Sequence, residues 1–314
     1  MNMEQNENLK RGLTSAIGAY FLWGILPIYW KLVSNVSAQE VIAHRVFWSL
    51  LFMLAVVILM NRKKQLYEEI TQLLAAPTQL LALMIGTIFI TLNWFIFIWA
   101  VNNNRVIETS LGYYISPLVS ILLGILFFRE RLSLGQSIAV ILAASGVLYM
   151  TMHFGSVPWA AICLALSFGL YGLCKKKAVL SPITSITLET LIVAPFAFLY
   201  LLYLGYHGSG SFDGLSLTSL FLVGGGIVTP IPLLLFANSA NRLSLTMLGF
   251  IQYLAPTISL LLGIFLYHEA FTIVHAVSFG LIWAALLVFS LAGTKFFLRS
   301  EILLQRFNML FKDR

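Results

Sequence analysis

The chain is a succession of long apolar runs separated by short polar breaks, at roughly 13–33, 38–60, 79–101, 106–128, 133–152, 157–174, 183–204, 217–237, 243–267 and 273–293. Each is near the ~20 residues that a helix needs to cross the hydrocarbon of a bilayer. None alternates apolar with polar positions, which excludes a membrane β-barrel. The pattern predicts an all-α polytopic membrane protein with about ten transmembrane helices. The first run is too long for a signal-peptide core and lacks a small-residue cleavage site, so it is expected to remain as an anchor. Two further segments read as basic amphipathic helices lying on the membrane. One is 62–74, with Leu66, Ile70, Leu73 and Leu74 on one face, and the other is the tail from Lys295 to Arg314.

Composition agrees. The 314 residues are 60% hydrophobic and 10% charged, against roughly 25% charged in soluble domains, and the mean hydropathy is +0.91. The net charge of +7 reads as membrane orientation rather than nucleic-acid binding, because short loops rich in Lys and Arg stay in the cytoplasm. With the N-terminus inside, all but Lys31, Arg45 and Arg105 of the 19 Lys and Arg residues fall on the cytoplasmic side. Both termini are therefore expected in the cytoplasm, in a multi-pass protein of the plasma (bacterial inner) membrane.

The run PLVSILLGILFFRE at 117–130 returns as PTISLLLGIFLYHE at 256–269, with half of the positions identical. The offset of 139 residues contains five predicted spans, an odd number, so the copies cross in opposite directions. Asn104, Arg105, Leu111 and Gly112 match Asn241, Arg242, Leu248 and Gly249, and Lys31 falls opposite Lys176. Two inverted five-helix repeats follow, over 1–154 and 155–296, with a basic amphipathic tail at 297–314. Halves related in this way can exchange roles between inward-open and outward-open states around a site near the midplane, which is the logic of a carrier. Gly112, Pro117, Gly249 and Pro256 are the candidate hinges. Glu130 and Glu269 close the two copies; each is either a polar turn at the membrane surface or part of a gate. Ser133 and Thr272, three residues on, are placed to cap the next helix.

The order of Trp23-Gly24 on the first helix, Arg45 near the start of the second, and the run from Gly112 through Pro117 and Gly124 to Glu130 resembles EamA-type transporters of the drug/metabolite transporter superfamily. GLTSAIGAYFLWGILPIYWKLV, AQEVIAHRVFWS and NNNRVIETSLGYYISPL are similar to the RarD branch in particular. The resemblance spans nearly the whole chain. It implies permeation or export of small organic solutes by ten helices in two inverted halves, and carries an association with chloramphenicol sensitivity that names the branch without fixing a physiological substrate.

Ionisable groups inside the hydrocarbon are costly and mark pathways. Glu40, His44 and Arg45 form the densest such cluster. Glu40 and His44 share a helical face, and Arg45 is rotated from it by about 100°. The cluster is either a snorkelling interfacial group or a site for an anion or a proton relay, and the resemblance singles out Arg45. Asn93, Trp94, Tyr113, Tyr114, Glu189, Gln252 and Tyr253, with Trp23, complete the candidates for an aromatic-lined pocket with few polar groups. His44, Glu40, Glu108 and Glu189 are the possible proton carriers.

No enzyme motif is present, and the aspartates at 213 and 313 lie outside the spans, which removes a paired-aspartate protease. Cys163 and Cys174 on one helix are ~16 Å apart, too far for a disulfide. The expectation is a secondary transporter without cofactor or metal, with a small-molecule substrate and the bilayer as partners and with no nucleic acid; a homodimer is compatible, and the alternative is a passive channel on the same repeats.

Overall fold

A computed structural model describes residues 3–103, 106–153, 158–266 and 271–292. Asn104, Arg105, the side chain of Glu108, Glu269 and the basic tail lie outside the described residues. The described part is all helical: α1 Met3–Lys31, α2 Ala38–Leu59, α3 Lys63–Leu74, α4 Pro77–Asn102, α5 Val106–Phe128, α6 Leu134–Met152, α7 Trp159–Ala178, α8 Pro182–Tyr206, α9 Leu217–Val228, α10 Pro230–Ala240, α11 Leu245–Gln252, α12 Leu254–Phe265 and α13 Ile273–Leu291. Among the described residues nine segments are long and apolar enough to cross a membrane, α9–α10 and α11–α12 each forming one.

The tenth expected span, α7, falls short in hydropathy because its last turn carries Lys175, Lys176 and Lys177. It is packed against α4 and α5, with more than half of its residues buried. A helix shielded from lipid by its neighbours need not be apolar all round.

The two discontinuities have a common cause. Proline lacks the N–H that would bond four residues back. Pro230 and Pro232 leave the carbonyls of Gly226 and Val228 without helical partners, and the chain breaks at Thr229. Pro256 does the same to Gln252, and the chain breaks at Tyr253. Pro117 deprives the Tyr113 carbonyl of its partner, yet α5 continues through it. The expected hinge pair is therefore a break in one half and an unbroken helix in the other.

Packing runs across the halves. The most extensive contacts pair α5 with α7, α4 with α7, α6 with α13, α2 with α8, α1 with α10, α2 with α9, α5 with α11 and α1 with α12. Every one joins a helix before residue 153 to one after residue 158. Exchanging each span for its counterpart five spans away maps α1–α10 onto α4–α7 and α1–α12 onto α5–α7, and leaves α2–α8, α6–α13 and the α5–α11 helix pair in place.

The polar ends follow from capping. Ser133 accepts from the Gln136 N–H and Thr272 from the His275 N–H, each within a reciprocal capping box. α3 lies at the end of the bundle that carries most of the basic residues, called the basic end below. Leu73 on α3 is buried, Leu66 and Ile70 are half-buried, and Leu74 is exposed. Glu69 anchors α3 by accepting from Ser181 N–H (3.0 Å) and Ser181 Oγ–H (2.9 Å) at the start of α8.

Candidate functional site

Arg45 sits where four elements meet. Its Nε donates to Thr229 Oγ1 at 3.0 Å, at the break between α9 and α10. Its guanidinium carbon lies 4.4 Å from the ring centre of Trp30 on α1 and 5.6 Å from that of Trp94 on α4. Among the described residues no carboxylate reaches it. Cation–π attraction contributes about 2 kcal/mol per desolvated contact, whereas removing a charge from water costs several kcal/mol even after relaxation. Two tryptophans thus offset only part of the cost of Arg45, and a charge left short of compensation in a membrane interior makes Arg45 the leading candidate for a functional position.

The approach of α9 makes this arrangement possible. Gly224, Gly225 and Gly226 each face an aromatic side chain. A Cβ on Gly224 would lie 2.5 Å from the Tyr29 hydroxyl, one on Gly225 would lie 3.4 Å from Arg45 Cγ and 3.6 Å from the Trp30 ring, and one on Gly226 would collide with Trp48. Tyr29 donates from its hydroxyl to the Phe221 carbonyl at 2.6 Å and pins α1 to the same helix. Tyr113 on α5 lies close enough to Arg45 for the two side chains to interact electrostatically, and 49% of its surface is free. Arg45 is itself half-buried.

Glu40 and His44 face elsewhere. The Glu40 carboxylate accepts from Ser211 N–H (2.6 Å) and Ser211 Oγ–H (3.0 Å) in the α8–α9 link. Trp48 Nε1–H donates to His44 Nδ1 at 3.2 Å. The indole can only donate, so the neutral imidazole carries its proton on Nε2, a buried atom without a hydrogen bond, 3.9 Å from Glu40 Oε1. The ~100° rotation expected between His44 and Arg45 therefore separates two environments.

Glu189 is also paired away from Arg45. Lys175 Nζ lies 2.5 Å from Glu189 Oε1 and 2.7 Å from Ser185 Oγ, and Tyr171 donates to Glu189 Oε2 at 3.0 Å. Both charged groups are buried and each has its partners, so the pair joins α7 to α8.

The remaining candidates hold helices together. Asn93 donates to the Leu164 carbonyl and to Ser167 Oγ, both at 2.9 Å. Gln252 donates to Ser116 Oγ (2.7 Å) and accepts from Ser120 Oγ (3.3 Å). The Tyr114 hydroxyl reaches the Pro256 carbonyl at 3.4 Å. Tyr253 is fully buried, with its hydroxyl unpartnered. Trp23 packs edge-on to Phe168 and tilted against Tyr20 and Phe236. Gly112 lets α5 approach the α7 backbone, and Gly249 lies against the Pro117 carbonyl, where a Cβ would be 2.7 Å away.

At the basic end Glu130 closes the bundle. Arg129 adopts a left-handed conformation (φ 53°) that ends α5 and turns Glu130 inward. Its carboxylate accepts from Leu245 N–H (2.8 Å) and Thr246 N–H (2.9 Å), the first amides of α11, where the helix dipole favours an anion. Lys176 Nζ donates to the Leu243 carbonyl beside it. Gly124 leaves the room, since a Cβ there would lie 2.7 Å from Glu130 Oε2.

Thr229 and the three consecutive glycines escaped the sequence reading. Their signal was present in GGGIVTPIP, a Gly/Pro-interrupted stretch inside a span, which is how discontinuous helices at transporter sites announce themselves.

A multi-pass helical bundle with intertwined halves and a cation at a helix break is an arrangement that membrane transporters use. The EamA-like transporter family model matches residues 10–152 and again 156–291, and the chain belongs to that family. It is 44% identical over 292 residues to the uncharacterized transporter YojE of Bacillus subtilis, covering 93% of this chain and 97% of that one. It is 43% identical over 282 residues to protein RarD of Escherichia coli, covering 89% and 94%. The chloramphenicol-sensitive protein RarD of Pseudomonas aeruginosa is 28% identical over 278 residues, 88% of this chain and 93% of that one. A crystal structure with 19% identity matches the fold with a TM-score of 0.70 over 91% of this chain and 99% of its own.

Proposed function

We propose that the protein is a secondary transporter that moves a small organic solute across the plasma membrane by alternating access, with both termini cytoplasmic and the substrate held at Arg45. The observation that carries this reading is the packing scheme, which is preserved when each span is exchanged for its inverted counterpart while the individual contacts differ in extent. From the basic end to the middle of the bundle α5 is joined to α11 through Glu130, Gly249 and Gln252. Toward the other end its contact with α12 is slight, with Tyr114 reaching the Pro256 carbonyl, and Tyr113 is half-exposed. The asymmetry describes a bundle sealed at one end, and the exchange rule supplies the second state at no cost in new kinds of contact.

Counterflow in proteoliposomes preloaded with unlabelled solute, over a panel including chloramphenicol and small metabolites, tests the reading. A carrier gives a transient overshoot of labelled solute that Arg45→Ala abolishes in a well-folded protein. Equilibration without overshoot would indicate a channel on the same repeats.

A further inference from the structure

Resting on the transporter reading, we propose that the cluster of Arg45 with Thr229, Trp30 and Trp94 is a binding site for an organic monoanion with a flat apolar body, such as an aromatic carboxylate.

Four features converge on that chemistry. The Nε of Arg45 is engaged by Thr229, and no described residue bonds its Nη1 or Nη2. The free edge is therefore the terminal pair of nitrogens, a fork that matches the two oxygens of a carboxylate. No carboxylate among the described residues reaches that edge, which leaves it open to an anion from outside. Secondly, Thr229, the partner of Arg45, is the residue at the break between α9 and α10, so the cation stands at a discontinuous helix, the kind of element from which transporters build their midplane sites.

Thirdly, the surroundings are aromatic: Trp30 and Trp94 flank the guanidinium, and the half-exposed Tyr113 lies near it. Such faces accept a planar apolar body by stacking and provide few hydrogen bonds to a sugar-like one. Fourthly, Gly225 lets the Arg45 stem and the Trp30 ring pack directly on α9, since a Cβ there would already lie 3.4 Å from Arg45 Cγ and 3.6 Å from the ring, so the cluster is held in place by its packing. One cation also sets the charge. The other buried cation, Lys175, is consumed by Glu189, so a monoanion is matched and a compact dianion is not.

Binding of radiolabelled benzoate to the full-length protein in nanodiscs, with empty nanodiscs as the partition control, tests this. Saturable binding is expected, with benzamide, the neutral isostere, competing at least tenfold more weakly and inorganic phosphate not competing in the same range. Arg45→Gln should lower benzoate affinity at least tenfold at unchanged Tm. If that variant does not fold, Thr229→Val keeps the charge, removes its orienting acceptor, and should weaken benzoate several-fold. Equal competition by benzamide, absence of saturable benzoate binding, or wild-type affinity in the variants would overturn the anion assignment. Phosphate competing as well as benzoate would overturn the flat-body requirement. The two readings fail separately: counterflow of neutral or cationic solutes without benzoate binding leaves a carrier with a different substrate, whereas benzoate binding without any counterflow leaves the site and removes the carrier.

Discussion

Replacing Glu130 by Gln shifts the protein away from the state sealed at its basic end. The carboxylate oxygens accept from Leu245 N–H and Thr246 N–H at 2.8 and 2.9 Å. Hydrogen bonds to a charged group contribute about 1.5–3 kcal/mol each. A glutamine amide keeps one accepting oxygen and turns an NH2 group toward the other amide, so at least one of these bonds is lost. At ~1.4 kcal/mol per factor of ten, the sealed state loses roughly 10- to 150-fold in population relative to its alternative. Glu130→Ala loses both bonds and shifts the balance further. Arg131 and Arg242 are exposed near the two sides of the latch, so spin labels there, in a background lacking Cys163 and Cys174, report its opening through distances measured by pulsed EPR. The expected result is a longer-distance population that grows from wild type through Gln to Ala. Identical distributions in all three folded proteins would refute the gate.

Three other outcomes follow from the packing. Breaking the buried Lys175–Glu189 pair from one side (Lys175→Met or Glu189→Gln) should cost about 3–5 kcal/mol, and the Lys175→Met/Glu189→Leu double variant should recover most of it; strictly additive losses in Tm would contradict the pairing. Gly226→Ala places a Cβ against Trp48, so α9 should move off α2, with a loss of about 1–3 kcal/mol and of transport, while Gly205→Ala, with nothing within 4 Å of its Cβ, leaves both unchanged. At Glu69, partial burial pushes the carboxyl pKa up, but hydrogen bonds from Gln65, Thr184 and Ser181 outweigh it and hold the group below its ordinary value. A depressed pKa means that the α3 anchor is fully present above the ordinary carboxyl value and is lost as pH falls through the lowered one. Hydrogen exchange over 63–74 should therefore accelerate at acid pH in wild type, after correction for the intrinsic rate, and be fast at all pH values in Glu69→Gln.

The spans were legible because apolar length alone specifies a membrane helix, and the two-fold repeat because the motif at 117–130 recurs at 256–269. α7 was recoverable only as a weaker run, since its lysines are satisfied by neighbours that composition does not reveal. Among the candidate site residues, Arg45, Trp94 and Tyr113 are brought together. Asn93, Gln252 and Glu189 are individually as polar as a ligand-binding group, and only tertiary contacts assign them to helix–helix bonds. Trp30 reads equally well as an interfacial aromatic, and Thr229 as one more hydroxyl in a span; what distinguishes them is the approach of α9, which three glycines permit but do not by themselves predict.

The crossing of contacts between halves has a consequence for biogenesis. When α1–α6 have entered the bilayer, almost none of their main packing partners has been synthesised, and the Asn93 amide still lacks Leu164 and Ser167. The first half is then an unfinished surface in lipid, and the native structure closes only as α7–α13 thread into it. The chain thus resembles two subunits of a dimer that share a linker. Fragments divided between α6 and α7 should be unstable when made alone and should assemble when made in one cell.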